Sequence, residues 1–179
     1  MNYIKLNKMV KKILFVFAMT FLLASTTDAQ RIAVVDINQI MESMDEYQSA
    51  QTQLDDLASK WRQQIAQEYD KIKGMYNRYQ AEQVLMSDEV RKQKEEEIVA
   101  KEKEVREMQK QKFGPDGALF KKRTELVKPL QDRVYKAIED YANDRGFDFI
   151  FDKGGSQGLI FSTDRYDKTA DILKKIKAN

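Results

Sequence analysis

The stretch VLMSDEV, residues 84–90, decides the fold, because it offers a reversal point in the middle of a very long helical region. From about Gln39 to Asn143 the residues are mostly helix formers, and short apolar runs typical of strands lie beyond both ends. The two ends can share a sheet only if the helical region goes out and returns as a hairpin. Ser87, followed by two acidic residues, is typical of a helix start, since its hydroxyl can cap free N–H groups.

The lengths of the two arms support a reversal near Ser87. A turn there gives arms of roughly 65 and 80 Å at about 1.5 Å per residue. A turn at 114–117 gives roughly 105 and 40 Å instead, so the returning arm does not reach the sheet. The turn near Ser87 predicts four facing pairs: Trp61 with Phe113, Leu54 with Phe120, Tyr47 with Val127, and Met44 with Leu130.

The segment KFGPDGALF, residues 112–120, lies partway along the returning arm. Gly114, Pro115 and Gly117 all disfavour helix, so we predict a break near 113–117. Asp116 is the predicted cap of the helix that resumes. The glycines are expected to leave room for large side chains of the facing arm.

The two ends of the mature chain predict a small β-rich body, residues 30–41 and 145–179. Strands are predicted at Ile32–Val35, Phe147–Phe151 and Leu159–Phe161, and Asp167 is expected to cap a short terminal helix. The fold class is therefore mostly α with a small β body (α+β), from which the hairpin 42–144 projects. A body of this size rarely holds together alone, and a chain without cysteine has no disulfides, so we expect the strands to form an oligomer interface. Its predicted residues are Ile32, Val34, Phe147, Phe149, Phe151, Leu159 and Phe161.

Residues 1–29 have the pattern of a secretory signal peptide: four lysines, an apolar run at 13–24, and small residues before a plausible cut. We expect the mature chain to begin near Gln30 in an exported protein. It then carries 27 basic and 28 acidic residues, so no global basic field favours nucleic acid as a partner.

Motifs for catalysis are weak in this sequence. The chain has no histidine, the commonest general base and metal ligand. GGSQG, residues 154–158, matches the G-x-S-x-G pattern of a nucleophile elbow, but a strand is predicted after it and a histidine base is lacking. We therefore predict no catalytic residue, no cofactor and no metal site, and we do not expect an enzyme.

Two surfaces of the hairpin are candidates for binding other molecules. Residues 106–128 carry seven basic and three acidic side chains, which either complement the acidic outgoing arm or attract acidic clients or lipid head groups. Apolar residues near the turn have few partners opposite them, and methionine and aromatic side chains make adaptable contacts. The candidate client-binding residues are Tyr76, Tyr79, Val84, Leu85 and Met86 near the turn, and Arg106, Lys110, Lys112, Lys121, Lys122 and Arg123 in the basic segment.

The segments RIAVVDINQIM, ELVKPLQDRVYKAIEDYANDRGFDFIFDKG, GLIFS and DKTADILKKI occur in this order around the charged hairpin. The mature chain thereby resembles the Skp/OmpH family of periplasmic chaperones. The resemblance implies a homotrimer whose hairpins enclose a cavity, where unfolded outer-membrane β-barrel proteins are held without ATP. Well-known members are strongly basic, whereas this mature chain is nearly neutral. The alternatives are a structural coiled-coil spacer or envelope tether, and a module that binds lipid or glycan.

Overall fold

The computed structural model describes residues 30–155 and 158–178, and the predicted signal peptide lies outside them. Helices dominate, and the two strands come from opposite ends of the described chain. The elements in chain order are β1 (Ile32–Val35), α1 (Ile37–Glu42), α2 (Asp45–Glu82), a 3-10 turn (Gln83–Leu85), α3 (Asp88–Phe113), α4 (Ala118–Arg145), β2 (Phe149–Asp152), a 3-10 turn (Asp164–Tyr166) and α5 (Thr169–Ala178). The predicted fold class, a long antiparallel hairpin on a small β body, is confirmed.

The hairpin reverses between the end of α2 and the start of α3. Ser87 is the N-cap of α3, and its hydroxyl accepts a hydrogen bond from the Val90 N–H at 3.3 Å. Asp88 and Glu89 occupy the first turn of α3, where the helix dipole favours negative charge. The chain therefore changes direction where the arm lengths and the capping pattern place the turn.

The distal parts of the two arms have their own apolar cluster. Ile65 and Ile72 of α2 pack with Ile98 and Val105 of α3, and all four are buried. Met75, Tyr79, Met108 and Phe113 pack partly buried against this cluster. The seam follows the three- and four-residue spacing expected for one face of each helix.

The break in the returning arm is confined to the short segment between α3 and α4. The Gly114 N–H donates to the Lys110 carbonyl at 2.8 Å, and the Gly117 N–H donates to the Gly114 carbonyl at 2.9 Å. Gly117 is the N-cap of α4, and no side chain caps that helix, so the predicted capping role of Asp116 is wrong. A Cβ on Gly117 would lie 2.9 Å from backbone oxygens of Gly114 and Lys112. The close approach of the loop's own backbone, and not a large facing side chain, therefore requires glycine here.

The predicted pairing of Leu54 with Phe120 does not agree with the burial of the side chains near the break. Phe120 is mostly exposed, while its neighbour Leu119 packs partly buried against the core that contains Leu54. The break interrupts helical periodicity, so α4 starts with its own phase and presents a different residue to α2. Trp61 does contact Phe113, which lies just before the break.

The strands β1 and β2 pair in parallel, with Ile32 opposite Phe149 and Val35 opposite Asp152. Their core extends far beyond the strands. The largest buried cluster joins β1, α1, the root of α2, α4 and α5, and its members are Val35, Ile40, Met41, Met44, Leu54, Val127, Val134, Ala137, Tyr141 and Ile172. The roots of both arms therefore add to the core of the body beyond residues 30–41 and 145–179, and the oligomer interface stays a prediction.

Phe147 does not lie on a strand. Gly146 adopts the left-handed conformation (φ 66°) and ends α4, and the Phe147 N–H donates to the Ala142 carbonyl at 2.9 Å. This is the usual helix ending with an apolar residue after glycine. The Phe147 ring stacks on Tyr141 at 5.9 Å between centroids, so Phe147 belongs to the chain's own core and not to a strand face.

The third predicted strand, Leu159–Phe161, has no ladder partner among the described residues. Ile160 and Phe161 are 100% and 80% exposed. An apolar extended segment forms a strand only where an edge is available, and sequence patterns do not show which edge that is. Val34, also predicted for the oligomer interface, is instead buried within the chain.

Candidate interaction surfaces

The reversal of the hairpin carries the most exposed large apolar side chains of the described arms. Val84 and Leu85 lie in the 3-10 turn and are 82% and 87% exposed. Tyr76 is half-exposed, with its ring centroid 6.4 Å from that of Tyr79. Tyr79 and Met86 line a groove of about 240 Å³. We call these five residues the tip surface; the structure brings all of them to one end of the hairpin.

Tyr79 also fastens the two arms together near the tip. Its hydroxyl donates a hydrogen bond to Glu95 Oε1 of α3. This bond to Glu95, together with partial burial and the negative charge of Glu95, raises the pKa of Tyr79 above its ordinary value. The phenol therefore stays protonated, and Tyr79 contributes its ring more than its hydroxyl to the tip surface.

The six predicted basic residues, here called the basic band, are not equally available. Arg106 pairs with Glu102 at 3.4 Å, and Lys122 pairs with Glu125 at 2.7 Å. The Lys112 ammonium lies over the Trp61 ring, 4.7 Å from its centroid. The remaining three, Lys110, Lys121 and Arg123, form no ion pair within residues 30–155 and 158–178. The free cationic surface is thus about half as large as the sequence suggests.

The seam between α2 and α3 has two unlike sides. One side is a groove of about 400 Å³, here called the aromatic groove, lined by Arg62, Ile65, Ala66, Tyr69, Gln109 and Phe113. The other side is a groove of about 670 Å³, here called the acidic groove, lined by Gln64, Gln67, Glu68, Glu104, Glu107, Met108, Gln111 and Lys112. The first has one cation and no carboxylate, while the second has three carboxylates and one cation.

The sequence interpretation missed the aromatic groove. A signal was present, because Arg62, Ala66 and Tyr69 recur at helical spacing on one flank of the buried stripe that contains Ile65. Only the pairing of α2 with α3 shows that Phe113, next to the break, closes the groove from the other arm.

Around Phe113, aromatic rings and cations stack on one another. The rings of Phe113 and Trp61 meet edge to face, 6.1 Å apart at an angle of 86°. The Arg62 guanidinium carbon lies 6.0 Å from the centroid of the Phe113 ring. Arg62 forms no ion pair in the part of the chain that the structure describes, so its charge is available to a ligand.

On the acidic side, an ion pair joins the two arms. The Lys101 Nζ of α3 lies 3.1 Å from Glu68 Oε2 of α2, and Lys71 Nζ lies 2.6 Å from the other oxygen of Glu68. Hydrogen bonds from Lys71 and from Lys101 lower the pKa of Glu68 below its ordinary range. The hydrogen bonds that Lys101 donates to Glu104 and Glu68 raise its own pKa.

The small sheet leaves a second apolar surface, at the opposite end from the tip. Phe149 and Phe151 of β2 are 49% and 46% exposed, and their rings stack with centroids 6.3 Å apart. Ile32 of β1 is also exposed, and it pairs with Phe149 in register. We call Ile32, Phe149 and Phe151 the sheet face.

The polar groups of the base hold the fold together. Lys153 Nζ lies 2.6 Å from Asp167 Oδ2, and the Thr169 N–H donates to Asp167 Oδ1 at 2.8 Å. Burial alone would raise the pKa of Asp167, but these contacts outweigh it and lower that pKa. Burial, with the hydrogen bond to Asp171, raises the pKa of Tyr141. Within the described residues, no three histidine, cysteine, aspartate or glutamate side chains are grouped to hold a metal ion.

The comparisons with known proteins agree with this architecture. The family described as "Outer membrane protein (OmpH-like)" matches residues 31–176. The chain belongs to the OmpH-like family. No curated protein sequence matches it. In the described ranges, no helix of this OmpH-like chain has both the length and the apolar character that crossing a bilayer requires.

A solved OmpH-like structure from Caulobacter crescentus CB15, described as a candidate outer membrane chaperone, has a similar fold. The TM-score is 0.67 at 8% sequence identity, and the match covers 84% of this chain and 85% of that one. At this identity the likeness shows a shared architecture. It carries no residue roles from one protein to the other.

Proposed function

We propose that this chain is an ATP-independent holdase chaperone of the periplasm. It binds unfolded outer-membrane β-barrel proteins and prevents their aggregation before membrane insertion. The observation that carries the proposal is the exposed tip surface, above all Val84 and Leu85, on a long hairpin of an OmpH-like protein. The signal-peptide pattern of residues 1–29 supports export.

The proposed mechanism relies on many weak contacts. An unfolded client exposes apolar side chains, and covering them lowers the concentration of free, aggregation-prone chain. Tyr76, Met86 and the turn residues can adapt to different client sequences, because methionine and aromatic side chains tolerate many packing arrangements. The free cations of the basic band, Lys110, Lys121 and Arg123, add attraction for acidic client segments or for lipid head groups. None of these contacts needs a catalytic group.

The proposal includes a homotrimer built through the sheet face. Two observations support self-association: the stacked, half-exposed rings of Phe149 and Phe151, and the unpaired apolar segment with Ile160 and Phe161. Both leave apolar surface in water that a second copy can cover. Association at this end leaves the hairpins free to surround a client.

The proposal is tested by measuring the molar mass of purified complexes. A urea-unfolded outer-membrane β-barrel protein is diluted into the purified mature chain, and the soluble fraction is analysed by size-exclusion chromatography with multi-angle light scattering. We expect one peak with the mass of three copies and one client. A structural spacer would elute without client, and the client would sediment as aggregate.

A further inference from the structure

The acidic groove and the aromatic groove differ in the charge and polarity of their lining side chains, so they suit ligands of different chemistry. The acidic groove is lined by three glutamates and three glutamines, and an ion pair between Lys101 and Glu68 closes its seam. The aromatic groove exposes Ala66 and Tyr69, and it carries one cation and no carboxylate. The aromatic groove thus combines apolar surface with a cation that forms no ion pair in the described ranges, and it has no carboxylate that would repel an acidic ligand.

We infer that the aromatic groove is a binding subsite for an extended segment in which an aromatic side chain is followed, two residues later, by a carboxylate. The inference rests on the proposed function, since it names the part of an unfolded client that the middle of the arm takes. Its ligand is defined by the chemistry of the lining residues.

The side chains that line the groove favour an aromatic side chain in the ligand. Ala66 is small and exposed, and it lines the groove together with the rings of Tyr69 and Phe113. The volume of about 400 Å³ lies within the range of about 300–1,000 Å³ common for ligand sites. An aromatic ring over Ala66 can therefore contact the rings that share the groove, Tyr69 and Phe113, in the offset or edge arrangements that such pairs favour.

The positive charge of Arg62 favours a carboxylate in the ligand. Arg62 forms no ion pair in the described ranges, and its guanidinium is held over Phe113 at 6.0 Å. Arg62 and Ala66 are four residues apart, a rise of about 6 Å along the helix. Residues two apart in an extended chain are separated by about 6.6 Å and point to the same side. A segment running antiparallel to α2 thus places its ring at Ala66 and the carboxylate that follows at Arg62.

The test measures binding of three soluble, fluorescein-labelled peptides by anisotropy. They share one serine-rich sequence and carry Phe-Ser-Asp, Phe-Ser-Lys or Ser-Ser-Asp at the centre. We expect the Phe-Ser-Asp peptide to bind most tightly. The Phe-Ser-Lys peptide should bind about threefold more weakly, and the Ser-Ser-Asp peptide about tenfold more weakly.

Two adjacent positions give a matched pair of variants. Ala66→Glu fills the aromatic groove with a carboxylate, whereas Gln67→Glu places the same side chain on the exposed acidic side one residue away. We expect Ala66→Glu to lower the affinity for the Phe-Ser-Asp peptide about tenfold, and Gln67→Glu to change that affinity less than twofold. Arg62→Gln should remove the preference for aspartate over lysine and leave the preference for phenylalanine.

Several results would overturn the inference. They are equal affinity for the three peptides, absence of binding to the wild type, or equal effects of the two glutamate variants. A change in the mass of the assembly caused by Ala66→Glu would assign the groove to contact between copies instead. The proposed function is judged separately, because it fails only if the wild type does not keep an unfolded β-barrel client soluble.

Discussion

The two apolar clusters of the chain predict that the distal arms can open without unfolding the base. Val105 and Val134 are both 0% exposed, but Val105 belongs to the distal cluster and Val134 to the base core. The two clusters share no buried residue. Val105→Ala and Val134→Ala therefore make the same chemical change at the same burial in two separate places.

The size of each effect follows from the groups removed. Val→Ala deletes two buried carbons, worth about 1.6 kcal/mol by transfer, and the cavity that remains raises the loss to about 2–3 kcal/mol. If the distal arms open locally, Val105→Ala lowers hydrogen-exchange protection of α3 amides by about 30- to 150-fold. The same variant should leave protection of β1 and α5 within about twofold of the wild type.

The assay is native-state hydrogen exchange followed by mass spectrometry, with Trp61 fluorescence as an independent probe of the distal region. Trp61 is the only tryptophan and packs on Phe113, which contacts the distal cluster. Val134→Ala serves as the control, and it should lower protection in β1 and α5. Equal loss of protection in the base and in the arms of Val105→Ala would refute the reasoning, since the chain would then unfold as one unit.

Four further predictions follow from named contacts. Leu85→Asp should leave the melting temperature unchanged, since the side chain is 87% exposed, and should weaken client capture in a pull-down by about threefold or more. Gly117→Ala should destabilise the fold in urea titration by about 1–3 kcal/mol because its Cβ would meet backbone at 2.9 Å, whereas Gly74→Ala, with open space in α2, should stabilise it by about 0.5–1 kcal/mol. Phe149→Asp should shift sedimentation toward the monomer, and an unchanged sedimentation coefficient would remove the sheet face from the interface. Hydrogen bonds from two lysines lower the pKa of Glu68. The ionised Glu68 therefore stabilises the fold above its ordinary pKa of 4.5, and this stabilisation is lost as the pH falls through the lowered pKa. Glu68→Gln should flatten that part of the curve of unfolding free energy against pH.

Features that depend on local signals could be predicted from the sequence. Ser87 and the acids after it mark a helix start by capping chemistry, and arm length decides between two candidate turns by geometry alone. Ile32–Val35 is β-branched and apolar, and it forms the predicted strand. The fold class follows from these signals together.

Features that depend on non-local partners were predicted wrongly. Phe147 fits a strand pattern, but the left-handed Gly146 turns it back onto Tyr141. Leu159–Phe161 has strand composition, yet no edge within the described chain pairs with it. Phe120 has the right distance from the turn, but the break gives α4 a new phase and leaves this residue outward.

The candidate surfaces show the same division. The exposure of Val84 and Leu85 agrees with the lack of apolar residues opposite them in the sequence register, whereas Tyr79 does have partners, since it packs against the distal cluster. The aromatic groove needs α2 and α3 together, because Phe113 completes a site whose other rings lie on the outgoing arm. The basic band looks larger in the sequence than in the structure, since ion pairs at helical spacing and the stacking of Lys112 on Trp61 take up half of its charges.

The most direct test of holdase activity is the aggregation of an unfolded outer-membrane β-barrel protein, followed by light scattering after dilution from urea. The mature chain is titrated against a constant amount of client, without ATP. We predict that scattering falls in proportion to added protein and is abolished near three copies of the chain per client, the ratio expected for the proposed trimer. Scattering that stays unchanged at a large molar excess of the chain over the client would contradict the account.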